Sequence, residues 1–353
     1  MRVVFVVLAA SLLLAFPLVA GPPPPAPPPA EEIETCLTCH GEKDLSVELP
    51  SGETQTLFVD RAVFEKSVHG AKLGCTGCHP GMDEVPHKER PVKDRKEFVE
   101  GFKQQCKSCH FDNYTKALDG VHYKQLAKGD SSAPFCVDCH GAHDIARPSQ
   151  PRTKVSETCA TCHSEVNDTF AMSVHGKALL EKNPDVPVCT DCHRSHDIAS
   201  AKSQAWRLSM VETCGKCHTN EKVMKKYGLS TNVLGSYLKD FHGMSASFYK
   251  GGKGDAKAIT ALCVDCHGVH DIKKVGEAGS QVLQANLQKT CQKCHANASP
   301  SFSAAWLSHY EPSWKRAPLV YAVTLFYKVF IPFVIGGLVL QILLHLWRVV
   351  VNR

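Results

Sequence analysis

Residues 159–198 read CATCHSEVNDTFAMSVHGKALLEKNPDVPVCTDCHRSHDI, and the rest of the chain is built on this pattern. The stretch holds two CxxCH motifs, at Cys159 with Cys162 and at Cys189 with Cys192. His175 lies between them in SVHG, and His196 follows in RSHDI. Two thiols three positions apart on one helical turn can both reach the vinyl groups of one haem as thioethers. The next histidine, His163 or His193, then faces the iron.

Working outward, the unit recurs on both sides. Before it stand Cys106, Cys109 and His110, then His122, then Cys136, Cys139 and His140 with His143 in GAHDI. After it stand Cys214, Cys217 and His218, then His242, then Cys263, Cys266 and His267 with His270 in GVHDI. A looser first copy has Cys36, Cys39 and His40, then His69 in SVHG, then Cys75, Cys78 and His79, with His87 taking the place of the HDI histidine after a longer loop. A half-unit with Cys291, Cys294, His295 and His309 closes the series. Four two-haem units and a half-unit make nine motifs, which consume all 18 cysteines and leave no thiol for a disulfide or a nucleophile. A disulfide framework, usual for a cysteine-rich exported chain, does not explain this spacing. Zinc sites or a thioredoxin-like CxxC would not require a histidine after every pair.

The 19 histidines comprise these nine proximal ones, nine others outside the C-terminal apolar stretch, and His345 within it. His69, His87, His122, His143, His175, His196, His242, His270 and His309 are therefore candidates for the sixth coordination position, one per haem. His140 and His143 are three residues apart and cannot approach one iron from opposite faces, so each HDI histidine is expected to serve a neighbouring haem. Thr35, Thr158, Thr213 and Thr290 precede first cysteines and are expected to cap the ligand-bearing helices. Asp144, Asp197 and Asp271 follow HDI histidines, where a carboxylate either orients an imidazole or caps a turn or faces solvent.

Composition agrees with a haem-filled interior, because Leu, Ile, Val and Phe are thin outside the two termini. The formal charge of +5 describes the apoprotein. A bis-histidine haem carries roughly −1 when ferric and −2 when ferrous once its propionates are counted, so nine add about −9 or −18. A mildly to strongly acidic holoprotein gives no reason to expect nucleic acid as a partner.

The ends point to a membrane. Arg2 and the apolar run 3–16 read as an export signal over 1–20, either cleaved after Ala20 or, since Leu18 fits the small-residue rule poorly, kept as an uncleaved anchor. GPPPPAPPPA then begins a Pro-rich tether over 21–31. The cytochrome region is assigned to 32–312, with repeats over about 32–100, 101–153, 154–208 and 209–285 and the half-repeat over 286–312. Within 313–353, residues 329–347 offer a mostly apolar span about 28 Å long as a helix. Haem is attached after export, so the N-terminal body is expected in the periplasm and Arg353 in the cytoplasm. Gln341 and His345 lie four apart on one helix face, costly toward lipid, and Gly336 with Gly337 permits close helix approach. His345 is read either as an interhelical hydrogen-bonding group or as a ligand to a b-type haem shared with a partner subunit.

The doubled units, the SVHG histidines and the CxDCHGxHDI segments resemble the multihaem c-type cytochromes of the doubled-CXXCH and cytochrome c3-like group, over roughly residues 36–309. The resemblance implies a mainly α fold with much irregular structure, a haem core, and electron transfer in anaerobic respiration. NapC- and NrfH-type quinol dehydrogenases are similar but carry their anchor at the N-terminus and bear fewer haems. A closer analogy is the periplasm-facing cytochrome c subunit of a membrane complex with a quinone-reactive cytochrome b, passing electrons to periplasmic cytochromes or reductases. The competing reading is a reductase of nitrite, hydroxylamine or tetrathionate, which needs one open iron. Nine distal candidates for nine haems, with no CxxCK motif, favour the relay.

Overall fold

The computed structural model describes residues 30–70, 72–88, 90–250, 260–305, 309–310 and 312–352. The export signal and residues 21–29 of the tether lie outside the described residues. The last two tether positions do not: Ala30 and Glu31 begin the helix Ala30–His40. Glu31 and Glu32 fall in its first turn, where negative charge favours helix.

The chain is mainly helical with much irregular connection, and it divides into two compact units. The first comprises residues up to 111 together with 135–147, and the second 112–134 with 148–353. The division does not follow the sequence repeats, since the second repeat contributes to both units. Four CxxCH motifs fall in the first unit and five in the second. The first unit also contains an antiparallel hairpin, Ser46–Glu48 with Thr54–Thr56, in which Val47 faces Gln55.

Second motifs of three repeats form the same short helix: Cys136–His140, Cys189–His193 and Cys263–His267. Each starts from an extended residue whose N–H donates to the aspartate inside the motif: Phe135 to Asp138 at 2.7 Å, Val188 to Asp191 and Leu262 to Asp265 at 2.8 Å. Each aspartate also receives an arginine from the segment before its repeat's first motif: Arg95, Arg152 and Arg207, at 3.2, 2.8 and 2.9 Å. These pairs are partly exposed, so each contributes about 0.2–1 kcal/mol and chiefly fixes one helix against the other. The first repeat has Gly77 where the aspartate would stand, and Glu32 reaches in from the first helix to accept from Thr76 N at 2.8 Å.

The other recurring element is the turn that presents a distal histidine. Ser67 and Ser173 cap the turn by accepting from Gly70 N at 2.9 Å and Gly176 N at 3.0 Å. Neighbouring repeats are joined by a recurrent backbone bond from the valine before this histidine to the HDI isoleucine of the following repeat. Val68 donates to Ile145 and Val174 to Ile272 at 2.8 Å, and Val121 to Ile198 at 2.7 Å.

The apolar core is small. Thirteen apolar side chains are buried among the described residues, and the main cluster consists of Leu208, Val211, Tyr237, Ala246 and Leu262. Pro318–Val351 forms one helix of 34 residues with a mean hydropathy of 2.3 over its apolar window, none of it buried. At 1.5 Å per residue it extends about 51 Å, ample for a bilayer, and it fits a membrane anchor.

Candidate haem centres

The CxxCH histidines end or closely follow their helices, and within each unit they meet distal candidates ring to ring. In the first unit His40 meets His87, His69 meets His110, and His79 meets His143, with ring centres 6.1, 6.1 and 5.9 Å apart. In the second, His122 meets His163 at 6.2 Å, His175 meets His218 at 6.3 Å, and His193 meets His270 at 6.0 Å. His242 meets His295 at 6.2 Å and His267 meets His309 at 6.1 Å. His140 belongs to the first unit and His196 to the second.

Six ångströms is too far for two imidazoles to stack on each other. Two rings bound through nitrogen to one metal at about 2.0 Å, with each nitrogen about 1.1 Å from its ring centre, have centroids about 6.2 Å apart. The observed spacing therefore fits an iron between each pair. Among the described residues no group of three or more metal-ligating side chains assembles; the imidazoles meet in twos. The ring planes fall into two classes. His69, His175 and His242 cross their partners at 51–58°, whereas His87, His122, His143, His270 and His309 lie within 14–28° of parallel.

Protonation also suits ligation. Burial pushes His79, His175 and His267 down to about 4, and burial likewise lowers His69, His122, His143, His193, His218, His270 and His309. Neutral imidazole is the form that offers a lone pair to a metal. Second partners aim several rings. His40 Nδ1 donates to the Leu57 carbonyl at 2.8 Å, His87 Nδ1 donates to the Glu84 carbonyl at 2.9 Å, and Ser236 Oγ lies 3.2 Å from His309 Nδ1. Trp206 lies flat against His193 with ring centres 5.3 Å apart, and its indole N–H is buried without a partner. A donor orphaned beside an imidazole pair suits the propionate of a haem.

No disulfide joins the described cysteines, and they cluster in a regular order. First cysteines of the two motifs in a repeat adjoin: the thiols of Cys36 and Cys75, Cys159 and Cys189, and Cys214 and Cys263 are hydrogen-bonded. Cys106 lies near Cys136. Second cysteines approach the following repeat: Cys78 lies toward Cys109 and Cys192 toward Cys217, both second cysteines, while Cys266 lies toward Cys291, the first cysteine of the half-unit.

One sequence expectation needs correction, and another is narrowed to one of its alternatives. The threonines before the motifs do not cap helix starts, because the helices begin several residues earlier. Thr35 donates to the Glu31 carbonyl and Thr213 to the Ser209 carbonyl one turn back, while Thr290 donates to the Gln281 carbonyl; Thr158 lies within Thr153–Ala160. The aspartates after the HDI histidines mainly close their own loops. Asp144 accepts from Ala142 N and Asp271 from Val269 N at 3.2 Å, and Asp197 pairs with Arg194 at 2.6 Å. Asp144 and Asp271 still favour charge on the neighbouring imidazoles, against a larger opposing effect of burial. The reading of the sequence passed over Glu32, Arg95, Arg152, Arg207, Trp206 and the aspartates of CxDCH. A signal existed for two of them, since Arg152 and Arg207 each stand seven residues before a first cysteine.

Residues 124–168 match the family model of the doubled CXXCH motif, spanning the motifs at Cys136 and Cys159. The chain is 25% identical over 200 residues to the multihaem cytochrome MtrA of Shewanella baltica, an alignment covering 54% of this chain. It spans about half the length of that curated relative, 53%. No solved structure matches.

Proposed function

We propose that this chain, a multihaem c-type cytochrome, binds nine covalent haems and relays electrons along them between a membrane quinone or cytochrome b module and periplasmic acceptors. The observation that carries the reading is the paired imidazoles at iron-sandwiching distance. Each facing pair would hold one haem iron between its two imidazoles, an arrangement that favours one-electron exchange with little ligand rearrangement over substrate binding at that iron. The order of the cysteines supports a relay as well. Each cysteine marks the thioether edge of its haem, so cysteines that adjoin within and across repeats bring consecutive haem edges together. Cys36 with Cys75, Cys78 with Cys109, and Cys106 with Cys136 make one such run in the first unit.

The anchor helix holds the relay at the cytoplasmic membrane with its haem region in the periplasm, in anaerobic respiration. Gln341 and His345 face a partner subunit, where His345 either donates a hydrogen bond or ligates a b-type haem. MtrA is named as a multihaem cytochrome, and electron transfer is carried over from it to this chain. The intact mass should exceed that of the apoprotein by nine haems, and electron paramagnetic resonance of the oxidised protein should contain only low-spin ferric signals. A stoichiometric high-spin signal would overturn the relay in favour of a catalytic haem.

A further inference from the structure

Eight of the nine distal candidates are partly buried, whereas His87 is exposed. His69 and His175 sit in turns capped by Ser67 and Ser173. His122, His143, His196 and His270 flank the valine-to-isoleucine bonds that join repeats. His309 lies against Ser236, and the backbone of His242 donates to Asp240 at 2.9 Å. His87 has none of these supports. It lies in a segment, 80–94, with no helix or strand among its described residues, and its Nδ1 bonds to the carbonyl of Glu84 in that same segment.

Its partner is held quite differently. His40 ends an eleven-residue helix, its Nδ1 donates to the Leu57 carbonyl at 2.8 Å, and its own carbonyl accepts from Val59 N at 2.7 Å. One face of this centre is rigid and the other soft. Releasing His87, already exposed, gives up little packing, while any other distal histidine would have to leave a partly buried position.

We propose that His87 is an exchangeable ligand, and that the reduced haem on Cys36 and Cys39 takes a small neutral π-acceptor such as carbon monoxide or nitric oxide in its place. The inference rests on the haem ligation set out above. In the exchange the iron–nitrogen bond breaks with its electron pair returning to His87, and a lone pair on the incoming ligand forms the new bond. The iron stays ferrous and no further oxidant or reductant is consumed. His40 remains bound throughout.

Titrating the dithionite-reduced, detergent-solubilised full-length holoprotein with carbon monoxide tests this by optical difference spectroscopy. One carbon monoxide should bind per nine haems. His87→Ala should still bind one, at least tenfold faster, because the same position is merely pre-opened. His87→Met, which keeps an iron ligand and guards against misfolding of the alanine variant, should also bind one. His175→Ala should bind two, its own opened iron adding to that at His87. Absence of binding in the wild-type protein overturns the proposal, and so does a count of two in either His87 variant. The relay reading fails separately, on haem count or on a high-spin signal in the oxidised protein.

Discussion

A methyl group on residue 176 would sit 1.9 Å from the Phe170 carbonyl oxygen, and one on residue 70 would sit 1.8 Å from that of Phe64. Gly243 stands in the same relation to Tyr237, at 2.0 Å. The glycine of SVHG is therefore set by close backbone approach: the preceding helix ends against the turn that aims the histidine. Gly176→Ala should destabilise the holoprotein by at least about 2 kcal/mol and lower haem occupancy, whereas Gly336→Ala, with nothing within 4 Å, should do neither. Thermal melts and haem-to-protein ratios measure both. The pattern of His followed by Gly was readable in the sequence, but its cause was not, because the carbonyl it accommodates lies six residues earlier and gives no local signal. Glu32 is a stronger case. In the motif that lacks the aspartate it accepts from Thr76 N, 44 positions away, a relation that spacing cannot reveal.

Between elements, histidines face one another across repeats. His69, His122, His175 and His242 each face the first CxxCH histidine of the following repeat, while His143, His270 and His309 each face the second one of the preceding repeat. Three-residue spacing alone dictated that HDI histidines look elsewhere. The direction became visible only with the valine-to-isoleucine bonds, which lay one repeat beside the next. His270→Ala should therefore turn high-spin the haem on Cys189 and Cys192, not the nearer one on Cys263 and Cys266. Resonance spectra should show one new high-spin ferric centre that disappears when Cys189 and Cys192 are also replaced by serine. Its survival in that triple variant would refute the assignment. The threonine caps failed as an expectation for a related reason: the motif marks where a helix ends, whereas caps depend on where it starts.

On the scale of the molecule, buried apolar side chains are few among the described residues, thirteen in all. Composition had foretold this, since apolar residues concentrate at the ends. A core so thin leaves haem to supply the missing buried surface. The chain produced without haem attachment should thus show no cooperative thermal transition in its extramembrane part, whereas the holoprotein should show one. Circular dichroism on the two forms decides this, and a sharp transition in the apo form would show that protein packing suffices. The division into two units had no counterpart in the sequence, because the second repeat reads as continuous while its residues pack in two places.

The exchange of ligands between repeats also bears on how such a chain changes length over evolutionary time. A duplicated two-motif unit inserted in the middle brings one histidine for its successor and one for its predecessor, and it receives one from each. Every iron stays saturated at any number of units. Loss of a single motif instead strands a histidine and starves a neighbour, so length should drift in steps of two. The ends must be closed by exceptions: His87, which turns back to His40 in its own repeat, and the half-unit that supplies His309.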